Sequence, residues 1–261
     1  MTLHQLPLAS KDKVIIVGAG IGGLASSVRL SHLGYQVSVF EKAKNAGGKL
    51  RTIMGSTGDI DVGPTVLTLL PIFKKLFKSV GEDIFEHIEL VRQKIIARHW
   101  WPDGTSLDLH DNFEASRDAI LSFSGSNSAH EFEKYFFDTK DLFSCFETPV
   151  MQNPKPSLLD MNRAVLSNPR ILTKIHPYRS LSGSLKSKFS DYRLQQLFAR
   201  YATYVGGSPL ESPALLSLIW QAEARGVWSI KGGMKKLASV LEKLALDRGA
   251  SFTYDSEVKE F

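Results

Sequence analysis

The stretch from Val14 to Gly34 constrains the fold more than any other part of this chain. It reads V-I-I-V-G-A-G-I-G-G-L-A-S-S-V-R-L-S-H-L-G. Val14 to Val17 form an unbroken β-branched run, which predicts a parallel strand buried on both faces. The run passes directly into Gly18-x-Gly20-x-x-Gly23. Gly18 permits a tight turn, Gly20 lets the backbone approach a pyrophosphate, and Gly23 lets the following helix pack close to the sheet. That helix is expected over Ile21 to Leu33, ended by Gly34, with its positive end toward the phosphates. A second strand, Gln36 to Phe40, leads to Glu41, 18 residues beyond Gly23. The ribose-binding acid of such sites stands about 20 residues on. A carboxylate there accepts from ribose hydroxyls and repels a 2′-phosphate, which argues against NADP. The glycines alone would equally suit a plain glycine-rich turn. Strand, glycines, helix, strand and acid in order select a dinucleotide site.

A second cluster, Gly47-Gly48-Lys49, narrows the dinucleotide to FAD rather than NAD. The glycine pair allows the chain to run tightly along a cofactor, and Lys49 and Arg51 can offset pyrophosphate charge. Either base taken alone reads equally as solvated surface charge. Asp61-Val62-Gly63-Pro64-Thr65 follows, with Gly63 and Pro64 fixing the backbone beside the flavin position.

These motifs, G-A-G-I-G-G-L-A, E-K-A-x-x-x-G-G-K and D-V-G-P-T, resemble those of carotenoid desaturases of the phytoene desaturase type, within the FAD-dependent amine oxidase superfamily. The later stretch G-V-W-S-I-K-G-G-M (Gly226 to Met234) continues the resemblance. Ala97 to Leu109 and Leu197 to Pro209 look like the bacterial hydroxyneurosporene dehydrogenase branch, the 1-hydroxycarotenoid 3,4-desaturases. The resemblance implies an α/β fold: a Rossmann-like FAD-binding domain of the amine oxidase or glutathione reductase type, with an inserted α+β substrate domain. It implies FAD contacts at Gly18, Ala19, Gly20, Gly22, Gly23, Glu41, Lys42, Gly48, Lys49, Arg51, Gly63, Pro64 and Thr65. Val258 would meet the adenine through its backbone, and otherwise reads as a plain strand residue. It further implies an acyclic 1-hydroxylated carotenoid desaturated at C3–C4, with oxygen or a quinone as electron acceptor. Phytoene desaturation, or another flavin oxidation within the superfamily, is the alternative. Members of the family are longer than 261 residues, so the chain reads as an N-terminal fragment. An inactive FAD-binding fragment is therefore a further alternative.

Three segments are expected: residues 1–84 as the first part of the FAD domain, 85–225 as the substrate and membrane-facing domain, and 226–261 as the returning part of the FAD domain. In the first, Phe73 to Val80 predicts a helix. Strands over Ile95–Trp101 and Thr105–Leu109 flank Asp103-Gly104, a hairpin signal. Ser122 to Asn127 is a polar break. His130 to Glu147 carries Phe132, Tyr135, Phe136, Leu142, Phe143 and Phe146 at helical spacing, which suits either core or a polyene tunnel. Helices are expected over Asp191–Tyr204 and from Ser212-Pro213 onward, the latter apolar all round and so buried. Met234, Leu237, Leu241 and Leu244 line a helix ended by Gly249, and Phe252 to Val258 predicts a strand.

Apolar residues make up 43% of the chain, enough for a sizeable core, and the net charge is +5. Anionic membrane surface is a fitting partner for that charge and for a lipid-soluble substrate. A peripheral position on the cytoplasmic membrane face is the expectation; nucleic acid is not expected. The N-terminal residues lack a charged region followed by an apolar one, and read as a short disordered tail rather than an export signal. One cysteine, Cys145, excludes an internal disulfide and reads as a buried thiol. The histidines show no metal-ligand spacing. No acid–base residue is assigned, and strand alternation puts Arg98 and His99 on opposite faces.

Overall fold

A computed structural model describes residues 12–260; the tail expected at the N-terminus lies outside them. The strands are β1 (Lys13–Val17), β2 (Gln36–Phe40), β3 (Thr52–Gly55), β4 (Gly58–Asp61), β5 (Leu90–Arg92), β6 (Ile95–Trp100), β7 (Ser106–His110), β8 (Trp228–Ile230) and β9 (Ser251–Thr253). The helices are α1 (Ile21–His32), α2 (Leu70–Lys78), α3 (Ile84–His87), α4 (Phe113–Phe146), α5 (Leu158–Ser167), α6 (Leu172–Ile175), α7 (Leu181–Lys188), α8 (Tyr192–Ala199), α9 (Trp220–Ala224) and α10 (Lys235–Leu246). The chain divides into two compact units. Residues up to Arg92 and from Trp228 onward form one, and Gln93–Val227 forms the other. The first boundary falls later than residue 84 because β5 pairs antiparallel with β8, which ties Leu90–Arg92 to the returning segment.

In the first unit, β1, β2 and β9 form a parallel sheet in the order β1-β2-β9. Leu24 and Val28 of α1 and Leu237, Leu241 and Leu244 of α10 share one core with Val37 and Val39. Val14 and Ile16 pack against that core. Their neighbours do not follow: Ile15 is 66% and Val17 47% exposed. The expectation of a strand buried on both faces is thus corrected. Among the described residues β1 is the sheet edge, and its alternate side chains point away from the helices that cover the other face. The expected strand over Phe252–Val258 is also shorter. It ends at Thr253, and Asp255 turns the chain with φ 51°.

In the second unit, β6 and β7 form the expected hairpin, and α4 runs beside it. Gly125 breaks α4 with φ 85° and ψ 178°, which places the polar break at one residue and starts the aromatic helix earlier than His130. The aromatics of α4 settle as core: Phe132, Tyr135, Phe189, Phe198, Tyr201 and Trp220 are all fully buried in one cluster. Phe132 stacks on Phe198 at 6.1 Å, and Tyr135 meets Trp220 at 6.0 Å. The helix expected from Ser212-Pro213 begins one residue later, with Pro213 at its cap, as a 3-10 segment (Ala214–Ile219) leading into α9. Asp191 caps α8 by accepting from the Arg193 N–H. Cys145 is half-buried rather than buried; its thiol meets the Ala164 carbonyl at 3.5 Å, and burial pushes its pKa up. Among the described residues no helix is long and apolar enough to cross a membrane.

Candidate functional site

The glycine turn after β1 is built as its spacing demands. Gly18 has φ 92°, and its N–H donates to the Phe40 carbonyl at 2.7 Å. A carbon added to Gly23 would stand 1.9 Å from the Gly18 carbonyl oxygen, so only glycine lets α1 leave the sheet at this distance. A carbon on Gly20 or Gly22 would meet nothing within 4 Å. No side chain caps α1 and no acid lies in its first turn. The space over its first turn is therefore open, and its unpaired N–H groups and positive dipole suit a phosphate there.

Glu41 is buried and fixed on both carboxylate oxygens. The Ala19 N–H donates to Oε2 at 2.7 Å and the Ala43 N–H to Oε1 at 2.8 Å. Its own N–H donates to Thr253 at 2.9 Å, and its carbonyl accepts from Ser256 at 2.9 Å. Each carboxylate oxygen keeps a further acceptor site for a ribose hydroxyl. Val258, two residues beyond Ser256, is half-buried and lies outside any strand.

The second glycine pair meets the first cluster directly. The Gly47 N–H donates to the Ala19 carbonyl at 2.8 Å, and Gly20 and Gly47 form a parallel bridge. A carbon on Gly48 would stand 3.0 Å from Gly20 Cα. The pair thus holds backbone against the phosphate loop itself. Lys42, Lys49 and Arg51 are exposed and form no ion pair with the described residues. Gly63, Pro64 and Thr65 are exposed; a carbon on Gly63 would lie 1.9 Å from the Lys49 carbonyl oxygen. The donor set and the open glycine cradle fit a dinucleotide.

Sequence reading missed the role of Asp61 within this unit. Its Oδ2 accepts from the Met234 N–H at 3.0 Å at the start of α10, and its Oδ1 is buried without a partner. The available signal was that Gly232-Gly233-Met234 opens a helix with no capping side chain of its own. Glu82, Glu86 and His87 also gather within 4.8 Å, but Glu82 binds Arg248 at 2.6 Å and His87 at 2.8 Å.

A second polar cluster lies in the other unit. Buried Glu223 accepts from Arg200 Nη2 at 2.5 Å, from the Tyr201 hydroxyl at 2.7 Å and from the Tyr204 hydroxyl. Arg200 stacks on the Tyr201 ring at 4.4 Å. Arg98 points outward, paired with Asp108 at 2.6 Å, whereas His99 turns inward. Burial, and then the Arg200 charge, lower the His99 pKa below the ordinary imidazole value.

Residues 16–81 match the model of an NAD(P)-binding Rossmann-like domain. The first unit is therefore a Rossmann-like dinucleotide-binding fold. Over 94% of its length the chain is 43% identical to a hydroxyneurosporene desaturase of Cereibacter sphaeroides, covering 50% of that protein. It is 40% identical over 97% of its length to the hydroxyneurosporene desaturase of Rhodobacter capsulatus, covering 51% of it. Along nearly its whole length the chain is thus similar to these two hydroxyneurosporene desaturases, and it spans about half the length of these curated relatives. Among solved structures, cyclohexylamine oxidase from Brevibacterium oxydans shares the fold, with TM-score 0.55 and 18% identity over 94% of this chain and 51% of that one.

Proposed function

We propose that the chain provides the dinucleotide site and part of the substrate region of an FAD-dependent carotenoid desaturase acting on 1-hydroxylated acyclic carotenoids. The carrying observation for the cofactor is Glu41, held by two backbone N–H groups beside an uncapped glycine-rich helix. The substrate reading is supported by the named relatives. When bound, the flavin supplies the two-electron acceptor for removing hydrogen from a C–C bond beside a conjugated chain, and oxygen or a quinone reoxidises it. The chain's own residues bind and orient: the α1 N-terminus takes the pyrophosphate, Glu41 the ribose, and Lys42, Lys49 and Arg51 balance charge. Gly48 and Gly63 to Thr65 shape the backbone along the cofactor, and the Val258 backbone faces the adenine. The test is flavin absorbance of the purified chain after incubation with FAD and desalting. Glu41→Ala is expected to weaken retention roughly tenfold or more, the loss of hydrogen bonds to a charged group. Tighter binding of NAD than of FAD would overturn the flavin reading. For the substrate, the protein extended to the length of its relatives, expressed in cells accumulating hydroxyneurosporene, should yield a longer chromophore; unchanged pigment would overturn that reading.

Peripheral membrane contact at the cytoplasmic face belongs to the same proposal. The solvent face of α5 carries Leu159 (67% exposed) and Leu166 (75%), with Leu172 and Tyr178 exposed beyond it. Lys155, Arg163 and Arg170 are exposed among them, and Asp160 is engaged in the Ser157 capping box. Outward leucines flanked by bases suit an anionic bilayer. Co-sedimentation with phosphatidylserine vesicles is expected, weakened several-fold by Leu159→Asp with Leu166→Asp and by high salt. Equal sedimentation of the double variant would remove α5 from the contact.

A further inference from the structure

We infer that Glu82, Glu86 and His87 of the first unit form a binding site for a divalent first-row cation, zinc above all. The site shares no residue with the dinucleotide cradle. One atom from each of the three side chains lies within 4.8 Å of the other two. His87 Nε2 stands 2.8 Å from Glu82 Oε2. Ligands about 2.1 Å from one tetrahedral zinc ion stand about 3.4 Å from one another, so small side-chain rotations bring all three onto a single ion. Glu86 is exposed while Glu82 and His87 are half-buried, which leaves a fourth position to water. The segment Glu82-x-x-x-Glu86-His87 has no paired histidines or cysteines and so carries no metal signal in sequence. The turn after α2 makes the cluster: Gly81 has φ 80°, and the Glu82 N–H donates back to the Phe77 carbonyl at 3.0 Å.

Donor chemistry, support and charge separate this cluster from a surface ion pair. An imidazole with two carboxylates is a nitrogen and oxygen set that suits zinc and its first-row neighbours, whereas magnesium and calcium take oxygen ligands. Two of the three ligands are held in place. Arg248 binds only Oε1 of Glu82, at 2.6 Å, and is itself fixed by donating to the Val80 and Leu244 carbonyls, each at 2.9 Å. The His87 ring packs on buried Phe77 at 5.9 Å, and Asp83 caps α3, the turn that carries both Glu86 and His87. Contacts of this outer kind orient metal ligands. Arg248 offsets one of the two carboxylates, and Glu86 has no ion-pair partner among the described residues, so net negative charge is left for a cation. On binding, the ion takes the place of the proton between His87 Nε2 and Glu82 Oε2. That proton leaves to solvent, and the ring keeps the one on Nδ1. The ion would then clip α3 to the turn after α2.

The experiment is calorimetric titration of zinc chloride into the chain after chelation and desalting, with magnesium chloride in parallel and thermal denaturation in each salt. Zinc is expected to bind wild type and to raise its thermal midpoint by a few degrees at saturation, because the ion binds the folded chain. Magnesium should do neither. His87→Ala and Glu86→Gln should each weaken zinc binding roughly a hundredfold or more, at least what loss of a supporting contact costs at a metal site. Because Glu86 forms no ion pair in the metal-free chain, Glu86→Gln should melt with wild type when zinc is absent, which separates the loss of a ligand from a loss of folding. A wild-type chain that neither binds zinc nor melts higher in it overturns the inference. Zinc binding of wild-type strength in both variants places the ion elsewhere and overturns it as well. An equal response to magnesium overturns the role of the imidazole.

Discussion

Gly23→Ala is expected to destabilise the first unit by about 3 kcal/mol or more, at the upper end of what overpacking costs. The added carbon would stand 1.9 Å from the Gly18 carbonyl oxygen and 3.1 Å from its carbon. Both are backbone atoms of the turn that β1 and α1 share, so no side-chain rotation relieves the contact. Relief requires α1 to lift from the sheet, which opens the packing of Leu24 and Val28 against the α10 leucines. Gly22→Ala is the matched control. Its added carbon meets nothing within 4 Å, and in a helical position alanine is favoured over glycine by roughly 1 kcal/mol. The control should therefore melt at or above the wild-type temperature while retaining less FAD, because the methyl group enters the open phosphate cradle. Thermal denaturation by circular dichroism, with flavin retention measured in parallel, separates the two effects. A Gly23→Ala chain that melts with wild type would show that close helix–sheet packing is not what requires this glycine.

The contrast between those two glycines marks how much of the site is legible in sequence. Strand, turn, helix and acid are local, and their order alone places Gly18 to Gly23 and Glu41. Contacts made at a distance are not local. Gly47 and Gly48 read as a cofactor strap, but they press on Ala19 and Gly20, a contact across 28 residues that no spacing rule encodes. The capping of α10 by Asp61 spans 173 residues. The exposure of one face of β1 is not local either. A β-branched run reports that both faces can be apolar, whereas exposure depends on which elements the fold brings to each face, and here Ile15 and Val17 have none among the described residues. The aromatic run of α4 was open between tunnel and core because helical spacing gives only a stripe. Its partners Phe189, Phe198 and Trp220 come from elements far along the chain, and they close it as core. The polar cluster around Glu223 is not legible in sequence, since a lone acid in an apolar helix looks like a surface residue until Arg200 and Tyr204 are folded onto it.

That cluster carries the second large effect. Glu223→Leu is expected to lower the stability of the second unit by about 3 kcal/mol, the lower end of the cost of leaving a buried charge unpaired. The lower end applies because the Arg200 side chain is one-third exposed and regains some hydration. The substitution also strands the hydroxyls of Tyr201 and Tyr204, each of which donates to the missing carboxylate. Glu223→Gln retains an acceptor for these donors and should lose roughly half as much. The same network sets an alkaline limit. Burial, followed by the hydrogen bond to Glu223, pushes the Tyr204 pKa up to about 12. A pKa raised on folding means that the contribution of Tyr204 is complete below its ordinary value near 10 and is lost as pH rises from there toward 12. Urea unfolding monitored by tryptophan fluorescence should show wild-type stability falling across that window, and a shallower fall in Tyr204→Phe. If Glu223→Leu unfolds at the wild-type urea midpoint, the ion pair contributes nothing net. If Tyr204→Phe follows the wild-type alkaline profile, the loss of stability belongs to other groups.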